Sequence, residues 1–459
     1  MSERSDSAAK RSRQPSKPLT AAKPGLEARQ TAGKLLGAVL DKHVSLDGLL
    51  DPVSGNPAFR ALPDADRGLV KAILHASLRN LPHIETMLAG LVSTPLPEGA
   101  RALQHTLIVA AAQIVYLDVP DHSAVDLAVE QAQADPRSRR FASLTNAILR
   151  RLSREKQDLL PAVAASVPAV PAWFYARLTD IYGDSHAKRI SEAQLQPSAI
   201  DLTVKGDPSV WAERLGGTVL PTGSVRLPAF EGQVSSLPGF EDGEWWVQDA
   251  AASLPAQLFG PLAGHRVVDL CAAPGGKTAQ LIAAGADVTA LDQSPNRMRR
   301  LRGNLERLGF AAKTVEINMA EFTPDRLFDA ALLDAPCSST GTIRRHPDVP
   351  YTKGPADIEK LAGLQERLLR HALTVVKPGG LVVFSNCSLD PMEGEEMVDR
   401  LVAAGLCHRV PVDSTRFPGL TDAVTAKGEI RTTPAMLPAT DGFAGGLDGF
   451  YAAVLRRPA

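Results

Sequence analysis

The sequence predicts a multidomain chain: an all-α bundle, then a small α+β subdomain, then a doubly wound α/β domain. Three observations carry this. Apolar residues recur at helical spacing from Leu26 to Leu152. Short strands punctuated by Gly and Pro come after Pro197. From Gly264 onward, continuous apolar strands alternate with amphipathic helices, the pattern of a parallel sheet covered on both faces.

The 459 residues leave room for several domains. Residues 1–24, rich in Ser, Ala, Pro and Lys, are expected to form a disordered tail. Lys10, Arg11, Arg13, Lys17 and Lys23 make it basic, with no acid between Lys10 and Lys23. Residues 25–158 form the helical domain. Leu26, Leu35, Leu36, Val39 and Leu40 share one face, as do Leu69, Val70, Ile73, Leu74 and Leu78, and Leu103, Leu107, Ile114 and Leu117. Asp64 and Asp66 suit the N-terminus of the second of these helices. A later helix turns Phe141, Leu144, Ile148 and Leu152 inward, with Arg139, Arg140, Arg150 and Arg151 about its ends.

Residues 159–258 hold a helical linker around Trp173–Tyr182 and the α+β subdomain, with strands at Ile200–Val204 and Trp245–Val247 and a short helix at Val210–Leu215. Residues 259–459 carry strands at Arg266–Leu270, Val288–Leu291, Thr314–Ile317, Ala330–Leu333 and Leu381–Phe384. Helices are expected at Lys277–Ala284, Asn296–Leu308 and Asp357–Val376. Such sheets bind ligands outside the carboxyl ends of their strands, where every chemically suggestive residue of this chain falls.

Composition narrows the class. At 44% hydrophobic residues the chain can bury real cores. Its four cysteines, Cys271, Cys337, Cys387 and Cys407, sit mostly inside motifs, which speaks against a disulfide framework and for a reducing cytoplasm. No apolar run reaches membrane-spanning length, and no signal peptide is expected. A net charge of −1 leaves any polyanion partner to local patches.

In Asp269-Leu270-Cys271-Ala272-Ala273-Pro274-Gly275-Gly276-Lys277-Thr278 a strand must turn sharply into a helix. Gly275 and Gly276 let the backbone approach a ligand and leave amides free at the helix start. A nucleotide P-loop ends similarly but needs glycine where Cys271 stands, and the dinucleotide Gly-x-Gly-x-x-Gly is absent. What remains is a nucleoside cofactor without phosphates. Asp292, ending the next strand, suits its ribose hydroxyls. S-adenosylmethionine meets both conditions.

Cys337 in Asp334-Ala335-Pro336-Cys337-Ser338 and Cys387 in Asn386-Cys387-Ser388 each come just after a buried strand. C5 of cytosine or uracil becomes nucleophilic once a thiolate adds to C6, and such chemistry needs an activated cysteine. A free thiol has a pKa near ~8.5, so the site must lower it, with Lys277 and helix N-termini as candidates. Asp334 can hydrogen bond N3 or the exocyclic amine, which favours cytosine. The residues alone leave open which thiol attacks. Cys407 is assigned to packing, and Cys271 to lining the turn without reacting.

These motifs, with Ile343–Asp348 and the closing Asp448-Gly449-Phe450-Tyr451, resemble bacterial 16S ribosomal RNA cytosine-C5 methyltransferases of the Sun type, in the NOL1/NOP2/Sun family. Residues 25–158 look like the RNA-binding factor NusB, through Ala28-Arg29, Asp66-Arg67, Val119–Val125 and Asn146–Arg150. The resemblance implies a Rossmann-like class I methyltransferase domain acting as a monomer on 16S rRNA. It also implies Cys387 as nucleophile and Cys337 as the residue assisting product release. Cys271, Ala272, Ala273, Pro274, Gly275, Gly276, Lys277, Asp292 and Asp334 would contact S-adenosylmethionine, with Asn318 where the family usually has Asp near the adenine. Asn386 stands for the usual Thr, and Gly394 for the usual Asn of a Glu-Asn-Glu run.

RNA contact is expected from Arg297, Arg299, Arg300, Arg302 and Arg307 on one helix, and from Arg344, Arg345 and His346 beyond Cys337. The competing functions are a transfer RNA cytosine methyltransferase, against which the NusB-like segment speaks, and a non-catalytic RNA-binding assembly factor, disfavoured by the intact cysteines.

Overall fold

In the computed structural model, which describes residues 23–230 and 232–459, the long helices of the N-terminal bundle are Leu26–Lys42, Asp64–Arg79, Leu81–Leu91, Arg101–Tyr116, Asp121–Ala134 and Ala142–Ser166. Of the expected basic tail, Lys10, Arg11, Arg13 and Lys17 lie outside the described residues. Helix Arg101–Tyr116 is buried on nearly every side because its apolar and alanine positions are almost continuous, and the other helices pack around it.

Two expectations change here. Leu144 is 38% exposed, and Leu149 faces the core beside Ile148 and Leu152. The last helix also runs through position 158 to Ser166, because Val163 still packs in the bundle.

Helices Ala172–Tyr182 and Asp184–Ala193 leave the bundle. Their buried face, Phe174, Leu178, Ala187 and Ile190, packs on Ile343, Val349 and Leu389 of the C-terminal domain. The small sheet next in the chain is antiparallel: β1 Asp201–Val204, β2 Thr218–Val219, β3 Val225–Arg226 and β4 Trp245–Val247, in the order β2-β3-β1-β4. A buried bidentate pair, Arg226 to Asp201 at 2.7 and 2.8 Å, crosses it, and Arg226 also donates to Ala444 O at 2.9 Å.

The C-terminal sheet contains β5 Arg266–Asp269, β6 Asp287–Asp292, β7 Lys313–Glu316, β8 Phe328–Asp334, β9 Val376–Asn386, β10 His408–Arg409, β11 Ile430–Arg431 and β12 Tyr451–Arg456. Its order is β10-β12-β9-β8-β5-β6-β7, with β11 also paired to β12. Strands β5 to β9 are parallel as expected. The unpredicted β12 runs antiparallel against β9, which makes the sheet mixed. Its Ala452-Ala453 has low strand propensity, and pairing on both edges overrides that. The chain winds from β5 out to β7, then returns to β8 on the other side of β5. That switch point opens a crevice at the carboxyl ends of β5 and β8. Among the described residues no helix is long and apolar enough to cross a membrane.

Candidate active site

Gly275 adopts φ +105° between β5 and helix Gly276–Ala283, a conformation side chains resist. Thr278 Oγ1 donates to Asp269 Oδ2 at 2.7 Å, tying the helix back to its strand. Asp269 Oδ1 is buried without a hydrogen-bond partner. Burial, with repulsion from Asp334, raises its carboxyl to about 7.

Asp292, 3% exposed, accepts from the amides of Ala273 at 3.3 Å and Ser294 at 2.9 Å and pairs with Arg297 at 3.4 Å. In this structure it braces the loop from behind. Asn318 is exposed and caps the short helix Met319–Glu321 through Ala320 N at 3.1 Å, away from the cleft.

Register explains how the two cysteines meet. Asp334 of β8 pairs with Ser385 of β9, so the chain just beyond each strand brings Cys337 Sγ within 3.4 Å of Cys387 Sγ. Asp334 accepts from Lys277 Nζ at 2.8 Å and Ser385 Oγ at 2.9 Å. Lys277, expected as a thiolate stabiliser, is thus paired with Asp334 instead, and it also sits 4.8 Å from the Phe450 ring centre.

A cleft of about 490 Å³ is lined by Asp269, Cys271–Lys277, Asp334, Cys387, Asp448 and Phe450, together with Trp246, Gln248 and Arg345. Cys337 is set behind Cys387 rather than on this wall. The hydrogen bond to Cys387 and burial both push the Cys337 thiol well above its ordinary range. Burial and three nearby carboxylates do the same for Cys271, which suits an unreactive lining residue. Cys407 packs in the sheet's apolar core.

The cysteine loops rest on a polar hub that the sequence did not disclose. Buried Asn386 donates to Glu393 O at 2.6 Å and Gln365 Oε1 at 3.1 Å, and accepts from Ser388 N at 2.9 Å. Gly394 leaves no room for a side chain, since a Cβ there would sit 2.9 Å from the Tyr451 ring. From the linker, Arg177 holds Asp390 at 2.7 and 2.9 Å, and Tyr182 OH donates to Leu389 O at 2.7 Å. Arg177 and Tyr182 carry no motif; their partners lie more than two hundred positions away.

The arginines expected to meet RNA are largely engaged within the fold. Arg344 is 1% exposed, bonded to Gly445 O at 2.9 Å, while its own carbonyl accepts from Arg79 of the bundle. Arg345 bridges Asp249 at 2.5 Å and Asp448 at 3.0 Å, and His346 pairs with Asp47 of the bundle at 3.1 Å. The segment that looked like an RNA contact is a domain junction. On helix Pro295–Arg307, Arg297 pairs with Asp292, Arg300 with Asp51, and Arg307 donates to Phe240 O and Trp245 O. Arg297, Arg299, Arg300 and Arg302 are all exposed, and of these Arg297 and Arg300 carry carboxylate partners.

Residues 256–456 match the family described as 16S rRNA methyltransferase RsmB/F, and residues 26–154 match the NusB family. The chain is 33% identical over 454 residues to ribosomal RNA small subunit methyltransferase B of Vibrio vulnificus (strain YJ016), covering 95% of this chain and all of that one. It belongs to the RsmB/F family of 16S rRNA methyltransferases. The corresponding Serratia proteamaculans (strain 568) protein is 33% identical over 387 residues, 81% of this chain and 88% of the relative. The fold agrees with the crystal structure of PH0851 (TM-score 0.70, 21% identity, 96% of this chain, all of that one). A methyltransferase homolog from Pyrococcus horikoshii aligns at TM-score 0.51 and 27% identity, over 62% of this chain and 94% of its own.

The chain belongs to a methyltransferase family, and its cofactor is S-adenosylmethionine. The cleft suits it chemically. The unpartnered Asp269 oxygen offers a cationic group an acceptor, and the Cys271–Lys277 turn gives close backbone approach at Gly275 and Gly276, while its one cation, Lys277, is already paired with Asp334 and leaves no free charge for a polyphosphate. Among the described residues no cluster of His, Cys, Asp or Glu could hold a metal.

Proposed function

We propose that this enzyme transfers a methyl group to C5 of a cytosine in 16S rRNA through a transient bond between Cys387 Sγ and C6. The observation that carries it is the thiol pair at the carboxyl ends of β8 and β9, with Cys387 on the cleft wall and Cys337 behind it. The Cys387 thiolate adds to C6, and the ring electron pair moves to C5. Asp334, held by Lys277 and Ser385, accepts a hydrogen bond from the exocyclic amine of the base, or from N3 once N3 is protonated. The Cys271–Lys277 turn, with Asp334, is assigned to the cofactor; Asp292, which braces that turn, and Asn318 do not line the cleft and are assigned no direct contact. When bound, S-adenosylmethionine supplies the electrophilic methyl on its sulfonium. Once C5 is methylated, Cys337, having released its own proton to solvent, takes the C5 proton. The C6–S bond breaks and Cys387 leaves as thiolate. One C–H becomes one C–CH3, with net release of one proton.

Replacing Cys387 with Ser is expected to abolish methyl transfer; a fully active variant would remove the mechanism. Cys337→Ala should accumulate a covalent protein–RNA adduct on a denaturing gel. Bisulfite mapping of 16S rRNA with and without the protein identifies the base, and a site confined to transfer RNA would refute the substrate.

A further inference from the structure

The two thiols are close enough to compete, so something must decide which one attacks. Glu393, fully buried, lies between the loops that carry them. Its Oε1 accepts from Ser338 N at 2.9 Å and Gln365 Nε2 at 2.7 Å; its Oε2 accepts from Ser338 Oγ and Ser388 Oγ, both at 2.5 Å. Ser338 is the residue after Cys337 and Ser388 the residue after Cys387, so one carboxylate ties both loops together. Burial pushes the Glu393 carboxyl up, and the Ser338, Ser388 and Gln365 donors oppose this by stabilising its charged form. The nearby cations have carboxylates of their own: Arg431 pairs with Glu395 and Arg177 with Asp390. Among the described residues Glu393 has no cationic partner, only neutral donors.

We propose that Glu393 is the positioning residue that selects the nucleophile. It fixes the two sulfurs in register and keeps an unpaired negative charge beside Cys337, so that Cys337 stays a thiol while Cys387 attacks. This rests on Cys387 being the attacking thiol. The groups facing Cys337 are Cys387, Glu393, the Ser339 amide and the Ser339 hydroxyl at 3.9 Å; Cys387, burial and Glu393 disfavour its thiolate, and the Ser339 amide favours it. Because Cys337 is protonated next to Cys387, its S–H can hydrogen bond the Cys387 thiolate across the 3.4 Å gap. When Cys387 is bonded to C6 that hydrogen bond is gone, and so is the competition between the two sulfurs for one negative charge. Cys337 can then ionise and accept the C5 proton.

The test needs no RNA and no turnover, so it fails separately from the function proposed above. In the full-length Cys387→Ser chain, the alkylation rate of Cys337 by iodoacetamide is followed against pH, with the labelled peptide identified by mass. Half-maximal rate is expected above the ordinary thiol value of ~8.5. Adding Glu393→Gln, which keeps the shape and removes the charge, should lower that midpoint by about one pH unit, roughly a tenfold gain in thiolate fraction at fixed pH. Glu393→Asp should restore much of the parent profile. An unchanged midpoint in Glu393→Gln, with S-adenosylmethionine binding intact, overturns the proposal. Should Glu393→Gln fail to fold, the single Cys387→Ser variant still decides: a Cys337 midpoint at or below that of a free thiol overturns it.

Discussion

Gly341 and Gly449 touch backbone to backbone, and that contact offers a graded way to displace the nucleophile. Gly449 N donates to Gly341 O at 2.9 Å, and Gly341 N donates to Cys387 O at 2.8 Å, so the three segments form one ladder ending at the thiol. A Cβ built on Gly341 would lie 2.0 Å from Gly449 O and 2.6 Å from its carbonyl carbon. Non-bonded carbon and oxygen need roughly 3 Å or more, so Gly341→Ala must open the contact by about 1 Å. No flexible side chain can yield, because both walls are backbone. A misplacement of ~1 Å costs on the order of 10²-fold in rate, and overpacking of this kind typically costs about 1–3 kcal/mol of stability. The assay is single-turnover transfer of labelled methyl to 16S rRNA, with S-adenosylmethionine affinity measured by calorimetry. Affinity should hold, since Gly341 is remote from the Cys271–Lys277 turn in the chain and does not line the cleft. A variant that transfers methyl within about threefold of the parent would falsify the coupling of this ladder to Cys387.

Asp269 predicts a pH dependence. Its carboxyl is raised to about 7 by burial, so between about pH 4 and 7 the folded chain holds a proton the unfolded chain has lost, and stability falls as pH rises through that window. Asp269→Asn should flatten that portion of the melting-temperature profile; parallel profiles would refute it. Arg345→Ala strands the buried Asp249 and Asp448 and is expected to cost about 3–5 kcal/mol in denaturant unfolding, with Arg345→Lys in between; a loss below about 1 kcal/mol would contradict the pairing. Arg177→Ala leaves buried Asp390 without its partner, and because Arg177 is a third exposed the loss should be smaller, about 2–3 kcal/mol. Methyl transfer should fall as well, since Asp390 closes the loop that carries Cys387; full activity would mean the linker does not brace that loop.

The chain's local physics wrote much of this architecture into the sequence. Period-3.6 burial marked the helices, and apolar runs marked β5 to β9, because each pattern reports one element facing a core. The glycine turn and both cysteine motifs were legible for the same reason: tight turns and thiol chemistry demand particular residue types in short order. Arg344 and Arg345 show the limit. As a string they are a basic patch beside a reactive cysteine, whereas in space each is buried in the fold and bonded to groups about a hundred positions away. Charge in a sequence has a sign but no address. The pairing of β8 with β9, the insertion of β12 and the placing of Glu393 between two serines depend on which segments become neighbours. Only the folded chain settles that, because burying the sheet's two faces selects one arrangement among many with the same local pattern.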